Sequence, residues 1–231
     1  MSARALKAAF PLTLPVMAGY LFLGLGFGVL LHQAGYGAPW ALLMSGGIYA
    51  GAIQYAAIGL LTGGAGLAQS ALLTLLVNAR HLFYGLSMAR PYANSGKWKP
   101  YLAFALTDET FALLSLSPVP DGIPDTQFYA AVSLLNQLYW VAGSLLGALL
   151  GQLLPFDLAG IEFSMPALFV VMLVEHWRKK EARASVLLGL GVSLACLLLL
   201  GPGGFILPAM LLITGLLLAM QKRPDAGKEA S

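Results

Sequence analysis

Apolar runs long enough to cross a bilayer recur along this chain, and almost no charge falls inside them. They extend over Phe10–Leu31, Trp40–Leu61, Leu67–Ala89, Tyr101–Leu116, Phe128–Leu154, Phe163–Val174, Ala184–Leu200 and Phe205–Met220. Crossing the roughly 30 Å hydrocarbon layer takes about 20 apolar helical residues. The runs lack the roughly ten-residue alternating pattern of a membrane β-barrel. Composition agrees: 58% of the 231 residues are hydrophobic and 10% charged, with a mean hydropathy of +0.78. A soluble domain of this size carries roughly 25% charged residues. These observations predict an all-α fold, a polytopic membrane helical bundle of about seven or eight segments. The 27 glycines suit close helix packing in lipid.

Turn-rich separators ("HQAGYGAP", "TGGAG", "SPVPDGIPD", "GPGG") divide the runs. No linker is long enough to split the chain, so residues 1–231 read as one integral-membrane domain with short polar tails, 1–9 and 221–231. Phe163–Val174, containing Pro166, and Phe205–Met220, containing Pro208, are short for full spans. They are the expected broken or re-entrant helices. The N-terminus has a basic start without a small-residue cleavage site and reads as retained. The single cysteine, Cys196, excludes an intramolecular disulfide.

The net charge of +3 is modest and sits in loops and tails, which argues against a nucleic-acid surface and for topology signals. Arg4 and Lys7, the cluster Arg178, Lys179, Lys180 and Arg183, and the tail residues Lys222 and Arg223 are expected to be cytoplasmic, as are both termini. The loop with Arg90, Lys97 and Lys99 conflicts, because three full crossings before it would place it outside. Either one early segment does not fully cross or the rule fails locally.

The stretch "LLTLLVNARHLFYGLSMARPY" breaks the apolar pattern with Asn78, Arg80 and His81. With about 100° per residue, Thr74, Asn78, Arg80, His81, Tyr84 and Ser87 share one half of a helix. Leu72, Leu75, Leu76, Ala79, Leu82, Phe83, Leu86 and Ala89 share the other, the expected lipid face. A charge at mid-membrane costs from about 2.5 kcal/mol on insertion scales to well over 10 in simulations, so it is usually paired or solvated. Of ten acidic residues only Asp108 and Glu109, in "FALTDETFALL", lie inside an apolar run. One of them is the expected partner of Arg80, leaving the other to exchange protons. The competing reading is a fixed pair that only joins helices. "GGIYAGAIQYAAIGLL" adds Gln54 and Tyr55 after the small-residue pair Gly47 and Gly51. "LLNQLYWVAGSLLGALLG" adds Asn136 and Gln137, as interhelical contacts or pathway lining, and a glycine ladder (Gly143, Gly147, Gly151) that reads as a packing face.

No phosphate-binding G-x-x-x-x-G-K-[ST] loop occurs, and no H-E-x-x-H or Cys-His cluster suggests a metal. No cofactor or catalytic residue is expected. Ser45 in "LMSGGIY" with His81 would allow an intramembrane hydrolase, but no spacing supports one.

"GAIQYAA", "NARHLFYGLSMA", "TDETFAL" and "EFSMPALFVVML", in that order, resemble the AzlC (YgaZ-like) family of branched-chain amino acid exporters, over roughly Phe10 to Met220. The resemblance implies a multi-pass permease of the cytoplasmic (inner) membrane that expels leucine, isoleucine, valine and similar apolar amino acids such as methionine. It also implies a small hydrophobic AzlD-type membrane subunit as partner. A channel-like or structural subunit of a larger complex is the alternative class.

A zwitterionic amino acid needs a cation or helix N-terminus for its carboxylate and an acid or carbonyl for its ammonium. Arg80 with Asp108 or Glu109 could serve, with Gln54, Asn78, His81, Tyr84 and Asn136 as hydrogen-bonding neighbours and Phe104 and Phe111 against the side chain. His81, Asp108 and Glu109 are the candidates for proton coupling. The expected outcome in a structure is a carboxylate of Asp108 or Glu109 within about 4 Å of the Arg80 guanidinium. An Arg80 that snorkels to the surface, remote from both acids, would overturn it.

Overall fold

The computed structural model describes residues 1–153, 170, 173–174, 177–178, 180–201 and 205–221. The chain divides into two compact units, Met1–Met165 and Pro166–Ser231. Among the described residues every regular element is helical. Three helices are long and apolar enough to cross a membrane: Ala3–Gln33, Asp125–Leu153 and Arg183–Leu200.

In the first unit the helices are α1 (Ala3–Gln33), α2 (Ala38–Gly47), α3 (Gly51–Thr62), α4 (Leu67–Asn78), α5 (Arg80–Met88), α6 (Lys99–Phe104), α7 (Asp108–Leu116) and α8 (Asp125–Leu153), with a 3₁₀ turn at Gly96–Trp98. Helices α1 and α8 run parallel along their whole length. The Ser2 amide donates to Gln127 (3.0 Å) at one end, Thr13 meets the Tyr139 hydroxyl (3.1 Å) further along, and Gly151 lies against His32 at the other end. Glycines make this approach possible. A Cβ on Gly24 would lie 2.9 Å from the Ser144 amide nitrogen, and one on Gly143 would lie 2.8 Å from the Leu21 carbonyl oxygen. A Cβ on Gly28 would overlap the Ser144 carbonyl, and one on Gly147 the Leu25 carbonyl. The glycine ladder is therefore a packing face, matched by a second pair of glycines on α1.

The remaining elements divide by the end of this pair that they face. Helix α2 starts beyond the C-terminal end of α1 and runs inward until its last turn meets the middle of α8, where Gln137 Nε2 donates to the Gly46 carbonyl (3.2 Å). Helix α3 starts there, with Gly51 against the Trp140 ring, and returns alongside α1, where the Tyr55 hydroxyl donates to the Leu23 carbonyl (2.6 Å) and its ring faces Phe27. The segment expected as one span, Trp40–Leu61, is thus a re-entrant hairpin. Helices α4 and α5 then carry the chain to the opposite end. Met88 and Tyr92 pack there with Ala5, Ala9, Leu102 and Phe128, and Thr126 donates to Ser95 (3.3 Å).

Helices α6 and α7 form a second re-entrant hairpin, from that opposite end. Its tip reaches Tyr20 of α1, with Thr107 bonded to the tyrosine hydroxyl (2.7 Å), and Leu114 then returns to the cluster around Ala5 and Phe128. Tyr101–Leu116 is therefore also not a span. This topology removes the conflict over the basic loop, because Arg90, Lys97 and Lys99 belong to the connection at the same end as Arg4 and Lys7. The first early segment to depart from a full crossing is α2–α3.

Each interruption has a local cause. Tyr49 ends α2 in the left-handed region (φ 46°), a position that usually takes glycine and is strained for tyrosine. The glycine pair expected to tighten one continuous helix is divided by this break: Gly47 closes α2 with nothing near its Cβ position, and only Gly51 packs. Thr107 caps α7, its Oγ1 accepting from the Thr110 amide (3.3 Å), with Asp108 and Glu109 in the first turn where the helix dipole favours negative charge. At Ala79 the ladder between α4 and α5 is interrupted. Leu82 donates to the Ala79 carbonyl (3.1 Å), and His81 Nδ1 sits 3.1 Å from the carbonyl of Asn78.

In the second unit a 3₁₀ turn (Lys180–Ala182) leads into α9 (Arg183–Leu200), which packs against α10 (Ile206–Gln221). The expected break in Phe205–Met220 is absent. Pro208 falls in the first turn of α10, where amides have no intrahelical acceptor and proline costs nothing. Most of Phe163–Val174 and the motif "EFSMPALFVVML" lie outside the described residues.

Replacing Gly147 by leucine should break the α1–α8 contact, lowering resistance to unfolding in detergent by about 3 kcal/mol or preventing accumulation of folded protein. Gly189, with nothing near its Cβ position in α9, should tolerate alanine in the same assay.

Candidate functional site

The two hairpin tips and the interruption at Ala79 place polar groups inside the first unit. Arg80 opens α5 and Asp108 opens α7, and their side chains form an ion pair with Nη1 2.5 Å from Oδ2. The expected pairing is present, and it joins the crossing helix to the tip of the second hairpin. Asp108 is 9% exposed and Arg80 28%. Tyr84 also interacts with the Asp108 carboxylate, and among the described residues Oδ1 of Asn78 is buried without a hydrogen-bond partner.

Glu109 points elsewhere. Its Oε2 accepts from the Tyr20 hydroxyl (2.6 Å), which also lies 2.7 Å from Thr107 Oγ1. The adjacent carboxylates thus have different partners, an arginine for one and a tyrosine of α1 for the other. The Tyr49 hydroxyl is buried beside Glu109, Tyr20 and Thr107. Below Tyr20 lies Trp140, their rings edge to face at 5.5 Å, and the indole Nε1 donates to Gln54 Oε1 (3.0 Å). Asn136, fully buried, donates through Nδ2 to Thr110 Oγ1 (3.0 Å). Hydrogen bonds from Tyr20 to Glu109 and from Trp140 to Gln54, joined by the Tyr20–Trp140 ring contact and by the adjacency of Asp108 and Glu109, therefore mark a polar path from Arg80 to Gln54 that crosses both hairpin tips.

The stripe on α4 and α5 is partly as expected. Asn78, Arg80, His81 and Tyr84 are half-buried, while Leu72, Leu75, Leu82, Phe83 and Leu86 are exposed. Thr74 and Ser87, at the two ends of the stripe, depart from it: both are exposed, and Thr74 is satisfied within α4 by the Ser70 carbonyl (2.7 Å). Tyr84 contacts the His81 ring (5.7 Å, edge to face) and stacks on Phe111 at 4.6 Å. Phe104 is 43% exposed and faces Tyr49 at 6.3 Å. Gln137 is interhelical glue, accepting from the Tyr101 hydroxyl (2.9 Å) and donating to Gly46. Ser45 donates to the Ala41 carbonyl (2.5 Å), and His81 Nδ1 meets its own helix, so these two residues form no dyad.

Sequence reasoning did not single out Tyr20, Tyr49, Thr107 or Thr110, and left Trp140 outside the site. Thr107 had a local signal, a threonine directly before two acids, the pattern of a helix N-cap. Tyr20 and Tyr49 had none, since one is an aromatic within an apolar run and the other holds a backbone conformation normally signalled by glycine.

A membrane-embedded bundle with opposed re-entrant hairpins, irregular backbone at their tips and a buried ion pair defines a polytopic α-helical membrane protein of the transporter type. The AzlC protein family matches residues 15–154, and the chain belongs to that family. It is 43% identical to the branched-chain amino acid transport protein AzlC of Bacillus subtilis (strain 168), over 94% of this chain and 86% of that protein. A membrane protein of Helicobacter pylori (strain J99) is 45% identical over 95% of this chain and 96% of its own length. The inner membrane protein YgaZ of Escherichia coli (strain K12) is 29% identical over 74% and 72% respectively. No solved structure matches.

Removing one partner of the ion pair should cost more than removing both. Arg80→Met or Asp108→Leu alone leaves an uncompensated charge in the interior, about 3 kcal/mol of lost stability. The double substitution should recover at least half of that in a detergent-unfolding titration; additive losses would show that the pair is not coupled.

Proposed function

We propose that the protein is a secondary transporter that exports branched-chain and related apolar amino acids across the cytoplasmic (inner) membrane. The reading adds proton coupling and a small AzlD-type membrane subunit as partner. The observation that carries it is the Arg80–Asp108 pair at the junction of an interrupted crossing helix and a re-entrant hairpin, in a chain whose Bacillus subtilis relative is named for branched-chain amino acid transport. Charges are kept in a membrane interior where they act on substrates, ions or protons. Discontinuous helices beside them are the usual setting of a mid-membrane binding site. The site comprises Gln54, Asn78, Arg80, His81, Tyr84, Asp108, Glu109 and Asn136.

The physical division between the acids supports assigning coupling to Glu109 ahead of Asp108 and His81. Asp108 is held by Arg80, whereas Glu109 has a neutral hydroxyl partner that can stay bonded to either protonation state. Arg4, Lys7, Arg90, Lys97 and Lys99, gathered at one end of the first unit, support that end as the cytoplasmic one, with the N-terminus there. The direction of transport comes from the family resemblance.

Cells lacking the chain should accumulate leucine or valine when fed dipeptides, and co-expression with the small subunit should restore efflux. Arg80→Ala should lower efflux at least 100-fold while the protein still reaches the membrane, and Arg80→Lys should restore part of it. Normal efflux from Arg80→Ala would remove that residue from the mechanism. Efflux should persist in ATP-depleted cells that retain a proton gradient; efflux that stops with ATP and ignores collapse of the gradient would exclude the coupling.

A further inference from the structure

We propose that the first turn of α3, with the side-chain amide of Gln54, binds the carboxylate of the transported amino acid, a subsite separate from Arg80. This assignment rests on the transport reading above. The reasoning starts with Gln54 itself. Its Oε1 accepts from two donors, the Ala50 amide (3.1 Å) and the Trp140 indole (3.0 Å). Neither could bond to an amide nitrogen, so the orientation of the side chain is determined: oxygen toward Ala50 and Trp140, Nε2 away from them. Gln54 is fully buried, and among the described residues its Nε2 has no acceptor. A buried amide group with unused donor capacity is costly unless a ligand completes it.

The surroundings supply more donors of the same kind. Gln54 is in the first turn of α3, and its Oε1 bond to Ala50 holds the side chain over that end of the helix. Among the described residues no acceptor takes the amides of Gly51, Ala52 or Ile53, whereas the Gln54 amide is satisfied by the Ala50 carbonyl (3.0 Å). These amides carry the positive end of the helix dipole. Gly51 and Ala52 remain partly exposed while Gln54 is sealed, so a ligand can approach the turn without unfolding it. The absence of a side chain at Gly51 lets the Trp140 ring lie against the position a Cβ would take (3.1 Å), which brings the indole to Gln54.

The alternatives fit a carboxylate less well. Arg80 already holds Asp108 at 2.5 Å, and an anion drawn to it would compete with a resident carboxylate. The internal start of α7 carries Asp108 and Glu109 in its first turn and repels anions. The inward start of α3 bears no acidic side chain. The two hairpin tips thus present opposite chemistries to one another across Tyr20 and Trp140: donors on the α3 side, carboxylates on the α7 side. A zwitterion needs that polarity.

The test uses the full chain, with its small subunit, in proteoliposomes. Counterflow of labelled leucine should be competed by unlabelled leucine and at least about 100-fold less well by leucine amide, which keeps the ammonium and side chain but lacks the carboxylate. Gln54→Glu keeps an acceptor for Ala50 and Trp140 and replaces only the donors. It should raise the leucine KM about 100-fold in protein that still accumulates in the membrane, whatever shift in unfolding midpoint the buried carboxyl brings. Competition by leucine amide as strong as by leucine, or a Gln54→Glu protein with an unaltered leucine KM, would overturn the subsite with the transport reading intact. A wild-type chain showing no leucine counterflow would instead remove the transport reading, and this assignment with it.

Discussion

Everything in the first unit is hung on the contact between α1 and α8. In lipid the hydrophobic effect does not drive helices together, so association depends on close packing and on polar contacts between them. Gly24 and Gly28 on one helix and Gly143 and Gly147 on the other let the two backbones come within atomic contact. That interface also sets the register of the residues beside it. Tyr20 and Trp140 are brought edge to face, and from that pair extend the hydrogen bonds to Glu109 on one side and Gln54 on the other. A shift of one helix past the other by a single turn would separate the two hairpin tips from their anchors.

The hairpins explain why so much polar chemistry survives in an apolar chain. A re-entrant segment exposes backbone that a continuous helix would satisfy, and this is tolerated only where protein or a cavity replaces lipid. Here Thr107 caps α7, Gln54 reaches back to Ala50, and Gln137 of α8 takes the Gly46 carbonyl at the end of α2. Tyr49 holds a left-handed backbone at the first tip, a cost of about 1–3 kcal/mol that is characteristic of functional positions. The interruption at Ala79 is milder, yet it places Arg80 at a helix start facing Asp108. All three irregularities converge on the same polar path. They all lie within residues 15–154, where the AzlC family matches.

Parts of this site could be read from residues alone, because the membrane makes polar groups conspicuous. Arg80 has few possible partners in a chain with two acids inside its apolar runs, so the ion pair followed from scarcity. Asn78, His81 and Tyr84 followed from helical periodicity, which holds locally even across the break. Thr74 and Ser87 did not, since they lie at the ends of the stripe, and both are exposed. Tyr20, Tyr49 and Trp140 were hidden because an aromatic in an apolar run carries the same signal whether it faces lipid or a carboxylate.

What the sequence determined by itself was solvent, helical class, the glycine packing face and the pairing of Arg80 with one of two acids, since each depends on composition or spacing along one helix; that the acid is Asp108 was decided by the fold. Only the tertiary structure decided which apolar runs cross and which turn back. A ten-residue helix and half of a twenty-residue span have the same composition, and the distinction lies in where their ends are held. The basic loop at Arg90, Lys97 and Lys99 conflicted with three crossings and agrees with two crossings, α1 and α4–α5, and one hairpin between them. The same holds for the Gln54 amide: its two oxygen-bound donors come from Ala50, four residues away, and from Trp140, eighty-six residues away. Nothing local in the chain could have assigned the second, because long-range contacts are set by the packing of whole helices.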